Sequence, residues 1–225
     1  MTMMIRKFLI FFLFLLISGS VYCQDSDFGL WYEVNAEKSF SKKFDIHGTF
    51  MVRTFDNASF IDQAFIELGA SYNLNKYVGF AASYRIGNYL EDDDMYHFRH
   101  KWFADIKGSL PVSNFVFSAR LRLQILAKTY IENAGDDITV YDGRLKLKGV
   151  YKIPDFPVNP YLSFETFSPV FRNEGRLIDK SRSTIGLEYK IVKKHLVEIA
   201  YIYQRDTYPH LSIMSIISLG YTFKF

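Results

Sequence analysis

Cysteine is almost missing from this 225-residue chain, which has one, Cys23. That excludes a disulfide framework and any zinc site built on cysteine pairs. Proline is scarce at 6 and glycine stands at 13, which excludes collagen-like and low-complexity chains. Neither sign of charge prevails. The 27 Lys and Arg against 24 Asp and Glu give +3, too little for a nucleic-acid footprint. Beyond Ile17 no apolar run approaches the roughly 20 residues of a spanning helix. No stripe of helical period is sustained either. His-x-x-x-His and the glycine-containing calcium loop are both lacking, so no metal and no cofactor is expected.

Aromatic residues are what the chain has in plenty. With 22 Phe and 16 Tyr it is 18% aromatic, and at 49% apolar it exceeds what a disordered chain carries.

Residues 1–23 read as a secretory leader. Arg6 and Lys7 precede ten uninterrupted apolar residues, Phe8 to Ile17, and Ser18, Gly19 and Ser20 break the run. Cleavage after Cys23 leaves Val21 at −3 and a new terminus at Gln24. Lipidation of Cys23 is the rival reading, but Tyr22 stands where a lipobox needs Gly, Ala or Ser. Loss of Arg6 and Lys7 with the leader brings the charge from +3 to +1.

Residues 24–225 then form one domain, and its pattern is alternation. From Phe115 to Ile125 the odd positions are apolar, while Ser118, Arg120, Arg122 and Gln124 share the other face. Leu145 and Leu147 alternate with Arg144, Lys146 and Lys148. Leu211, Ile213, Ser215, Ile217, Leu219, Tyr221, Phe223 and Phe225 share a face. Such alternation means strands. Eleven segments show it: 28–40, 44–55, 61–73, 77–87, 95–110, 115–126, 138–153, 158–168, 177–190, 195–205 and 211–225.

The connections alternate between short (41–43, 73–76, 111–114, 154–157, 192–194) and long (56–60, 88–94, 127–137, 168–176). The fold class expected is therefore all-β, an antiparallel up-and-down transmembrane barrel with short periplasmic turns and longer outer loops. A soluble barrel also alternates. The strand lengths and the aromatics at strand ends (Phe40, Phe44, Tyr72, Tyr77, Phe55, Phe60, Tyr89, Tyr96) favour the membrane. Because bacterial barrels have even strand numbers, 10–12 strands are expected, with 12 preferred over 10.

The terminal strand, Ser218-Leu219-Gly220-Tyr221-Thr222-Phe223-Lys224-Phe225, resembles the C-terminal signal of outer-membrane barrels. Ser218, Gly220, Phe223 and Phe225 fill its fixed positions, which implies recognition by the barrel-assembly machinery. Phe28-Gly29-Leu30-Trp31, Leu74-Asn75-Lys76-Tyr77, Phe98-Arg99-His100-Lys101-Trp102-Phe103-Ala104-Asp105, Pro160-Tyr161-Leu162-Ser163-Phe164-Glu165 and Gly186-Leu187-Glu188-Tyr189-Lys190 carry a wider likeness. With these stretches the whole mature chain resembles an outer-membrane barrel family of Gram-negative bacteria, domain of unknown function 2490. The resemblance implies a barrel in the outer membrane, in contact with its lipids and lipopolysaccharide. It implies no activity or substrate.

Candidate functional residues lie on the polar face. A basic wall is expected from Arg99, Lys101, Lys107, Arg120, Arg122, Arg144, Lys146 and Lys148, with Asp105 and Asp142 beside them. An acidic wall is expected from Glu33, Glu37, Asp45, Glu67, Glu165, Glu188 and Glu198, with Arg53, Lys180 and Arg182 in the same arc. Two readings follow. Opposed walls across a wet lumen suit a narrow, porin-like channel for small polar or anionic solutes. The same charges meeting across a narrow lumen plug it, as a structural barrel. A third reading, a lipid-modifying hydrolase, rests on His210 and Ser212. It needs a third group that the sequence does not place, so no catalytic residue and no enzyme is expected. The acidic loop Glu91-Asp92-Asp93-Asp94 reads as solvated.

Overall fold

A computed structural model describes residues 26–91, 93–131, 138–171, 177–192, 194–208 and 210–225. The expected leader, residues 1–23, lies outside the described residues, and so does Asp92.

The described residues form eleven strands and no helix: β1 (Ser26–Ser39), β2 (Phe44–Phe55), β3 (Phe60–Asn73), β4 (Val78–Leu90), β5 (Tyr96–Val112), β6 (Phe115–Lys128), β7 (Thr139–Tyr151), β8 (Val158–Pro169), β9 (Lys180–Val192), β10 (His195–Asp206) and β11 (Ser212–Lys224). Each sequential pair is antiparallel. The sheet closes through β1 against β11, which run parallel from Ser26↔Ile213 to Glu37↔Lys224. The preference for twelve strands is corrected to eleven. An even count follows only if the seam is antiparallel. A parallel seam also pairs the edge groups of both terminal strands, so an odd sheet closes.

Alternation sorts the two faces as expected, with the apolar face outward. Leu68 and Leu162 are 60% and 63% exposed, whereas Phe65 and Glu67, on the opposite face of β3, are 2% and 6% exposed. Exposed apolar residues occur on every strand from β1 to β11, and hydrocarbon can cover such a belt. Among the described residues no helix is long and apolar enough to cross a membrane.

The β2–β3 connection, expected among the long loops, is the tight turn 56–59. Asp56, Asn57 and Ala58 all take positive φ, at 50°, 56° and 65°. Asp27 on β1 offsets part of that cost by accepting hydrogen bonds from the Asp56 and Asn57 amides, each 2.9 Å. Inside the barrel, Gly186 leaves room for a ring, since a Cβ there would lie 2.5 Å from the Tyr161 ring, and Gly87 permits close strand approach, since a Cβ there would lie 2.5 Å from the Ala64 carbonyl oxygen.

Candidate functional site: the barrel lumen

On each strand alternate positions point inward, and the charged residues of the two expected walls occupy such positions. Their partners are mostly neighbours, not the far wall. Arg122 on β6 donates through Nε and Nη2 to both oxygens of Asp105 on β5, at 2.6 and 2.7 Å. Arg85 on β4 holds Glu67 on β3 at 2.9 and 2.6 Å, and Ser83 donates to the other Glu67 oxygen at 2.9 Å. Arg144 on β7 and Arg120 on β6 converge on one oxygen of Glu165 on β8, at 2.9 and 2.8 Å. Lys148 reaches Glu188 on β9 at 2.6 Å and approaches Glu198 on β10 at 3.9 Å. Arg99 pairs with Glu91, and Lys180 with Asp206 at 2.9 Å.

The remaining members of the acidic set cluster near the short turns. Glu37 pairs with Lys224 at 2.8 Å. Asp45 accepts from Ser39 at 2.5 Å and Asn73 at 3.2 Å, and Glu33 accepts from Asn35. Among the described residues, no ion pair joins this group to the basic residues of β5–β7.

A ring of arginines and aromatics lines the waist. Arg53 on β2 lies 3.9 Å from the Trp31 ring and 5.3 Å from Phe65. Arg85 lies 3.7 Å from Phe65 and 5.0 Å from Phe103, and Arg122 lies 4.3 Å from Phe103. On β7 to β9, Arg144 stacks at 4.4 Å on Phe167, and Arg182 sits 4.7 Å from Phe167 and 4.8 Å from Trp31. Only the Arg122–Arg144 step joins two cations directly, as a cross-strand pair. Ring faces and guanidinium planes attract, more so when dry. β10 completes the circle through Gln204, which accepts from Arg182 Nε at 2.7 Å, and Ile202 packs with Trp31 and Ile216.

Sequence reasoning missed Arg85, Trp31, Phe65, Phe103 and Phe167. The available signal was parity. Phe103 lies between Lys101 and Asp105, and Phe65 between Gln63 and Glu67, so both interrupt the polar face where a water-filled lumen would keep polar residues.

His97 faces inward and its ring lies flat against Tyr130, with centroids 4.2 Å apart. Its Nε2 meets Asp93 at 2.8 Å, and this hydrogen bond holds the Asp93 carboxyl below its usual range. His100 faces outward, hydrogen-bonded to the Tyr84 hydroxyl at 2.6 Å. His210 is an exposed loop residue, and Ser212 opens β11 opposite Asp206. In the terminal strand, Ser218 and Gly220 face the lumen. Phe223 faces out and stacks on Phe225, with centroids 5.4 Å apart. Among the described residues no cluster of metal-ligating side chains occurs.

Closed sheet, apolar exterior and ion-paired interior together define an outer-membrane-type β-barrel. The chain belongs to the family described as protein of unknown function (DUF2490), which matches residues 28–212. Among solved structures it is similar to the β-domain of the Bordetella autotransporter BrkA. The identity is 12% and the TM-score 0.49, over 81% of this chain and 82% of that one. It is also similar to a chain from a study of the in-meso crystallization of membrane proteins. There the identity is 13% and the TM-score 0.40, over 81% and 79%. No curated protein matches it.

Proposed function

We propose that this chain is an outer-membrane protein of a Gram-negative bacterium, exported by its leader, with a sealed lumen. It is then a structural or receptor-like barrel, not a diffusion pore. The observation that carries this reading is the arginine–aromatic ring at the waist and the carboxylates beside it. Asp105 and Glu165 are each 5% exposed and Ile216 is 0% exposed, so little water reaches these side chains. A conducting lumen needs continuous polar space, and side chains packed this closely around the waist support a sealed one. Short turns and the C-terminus then face the periplasm, as barrel-assembly machinery reading Ser218 to Phe225 requires. The longer loops face the lipopolysaccharide leaflet. No catalysis is assigned to His210 and Ser212.

Planar-bilayer recording of the refolded protein tests this. Silence is the expected result. Steady single-channel conductance with anion preference would establish the porin-like channel instead. In a sealed barrel, Arg120→Glu with Arg122→Glu lowers stability without opening a conductance.

A further inference from the structure

The short-turn end of the lumen holds a charge arrangement that the sealed waist does not explain. Lys107 on β5 lies directly opposite Arg120 on β6, and Arg120 lies directly opposite Lys146 on β7. Three cations thus stand side by side in one row of the sheet, on one face. Like charges directly opposite one another destabilise a sheet. Lys148, one inward position nearer the turns, and Lys76 in the β3–β4 turn lie close by. These five cations line one cavity of about 360 Å³, and no carboxylate is among its lining residues.

The nearest acids are already engaged. Glu165 takes Arg120 and Arg144, Glu188 takes Lys148, and Asp105 takes Arg122. Among the described residues, Lys107 and Lys146 have no carboxylate within 4.0 Å. Arg120 Nε is buried and has no hydrogen-bond partner. An orphaned guanidinium N–H costs free energy unless an acceptor meets it. Neutral donors complete the lining, with Asn73, Ser109 and Ser118 on its wall.

We infer that this cavity is a binding site for a phosphate-bearing small molecule, admitted from the short-turn end. The surplus of positive charge calls for more than one negative charge. Donors from β3, β5, β6 and β7 converge from several directions, which suits a tetrahedral phosphate better than a planar carboxylate. The volume takes a phosphate or pyrophosphate group with a small substituent. This site goes beyond the sealed-barrel reading and does not depend on it, because a conducting barrel would keep the same cavity.

The experiment is calorimetric titration of inorganic pyrophosphate into the full refolded protein in uncharged detergent, beside the variant Lys107→Gln, Lys146→Gln. Folding of both is checked by resistance to SDS before boiling. Binding to the wild type is expected, with affinity at least tenfold lower in the variant. Pyrophosphate should raise the wild-type unfolding temperature and leave the variant's nearly unchanged. The variant without ligand should be no less stable than the wild type, since the row of like charges is relieved. Short-chain phosphatidic acid forms a second arm. Tighter binding than pyrophosphate identifies a lipid headgroup as the source, and weaker binding identifies a soluble phosphate. Failure of folded wild type to bind millimolar pyrophosphate would overturn the site. Equal affinity in the two proteins would overturn it too.

Discussion

Arg122 and Asp105 face each other on neighbouring strands and are joined, inside the lumen, by two hydrogen bonds of 2.6 and 2.7 Å. Their side chains are 8% and 2% exposed, so each is the other's main replacement for water. Such a pair is expensive to break from one side and cheaper to remove whole. Arg122→Ala strands a buried carboxylate and should cost about 3–5 kcal/mol. Arg122→Leu with Asp105→Leu should cost less than either single substitution. Urea unfolding in detergent micelles, followed by the loss of SDS-resistant mobility, gives the comparison. A double variant weaker than both singles would show that the pair holds the barrel by more than charge compensation.

The parallel seam makes a second prediction. Leu30 on β1 and Ile217 on β11 are register partners with outward side chains. Cys23, the one native cysteine, lies in the proposed leader, so none competes once that leader is cleaved. Leu30→Cys with Ile217→Cys should cross-link under mild oxidation and lock the barrel against opening on boiling. Leu30→Cys with Leu219→Cys, two residues out of register, should link far less. Equal yields would contradict the seam, since an intervening twelfth strand would hold both pairs well beyond disulfide reach.

Phe225 supports a third. Its amide donates to the Glu37 carbonyl at 3.0 Å, and Lys38 lies 4.8 Å from its ring. The terminal aromatic thus fastens the end of β11 to the end of β1, beside the Glu37–Lys224 ion pair. Deleting Phe225 should leave secretion intact and reduce the protein recovered in the outer-membrane fraction. Unchanged recovery would mean that the aromatic only decorates the seam.

Much of the barrel was legible because strand alternation is local. The inward and outward faces of β6, β7 and β11 follow from a period of two, and no partner strand is needed to see it. The eleven segments read from the sequence correspond to the eleven strands, with ends displaced by a few residues. The tightness of turn 56–59 is not legible locally because Asp27, distant in sequence, accepts from its amides.

Alternation also placed Lys107, Arg120 and Lys146 inward, but it could not show that they share one row. Row membership is set by register, which one residue of slip at the 113–114 turn would change. The opposed-wall expectation had the same limit. Composition by strand separated acids from bases, while the geometry let Arg122, Arg85 and Arg144 find carboxylates one strand away.

The two faces of each strand, the approximate strand positions, the barrel class and the charged side chains of the lumen were thus legible along the chain. All of these are encoded within single strands and turns. Tertiary structure alone decided the parallel closure of β1 on β11, and hence the odd count. It alone decided the stacking that runs from Trp31 through Arg53, Phe65, Arg85 and Phe103 to Arg122, and the gathering of Lys76, Lys107, Arg120, Lys146 and Lys148 around one cavity at the short-turn end. Each of these depends on which residues of different strands arrive at the same height around the barrel. That height is a property of the closed sheet, and no single strand carries it.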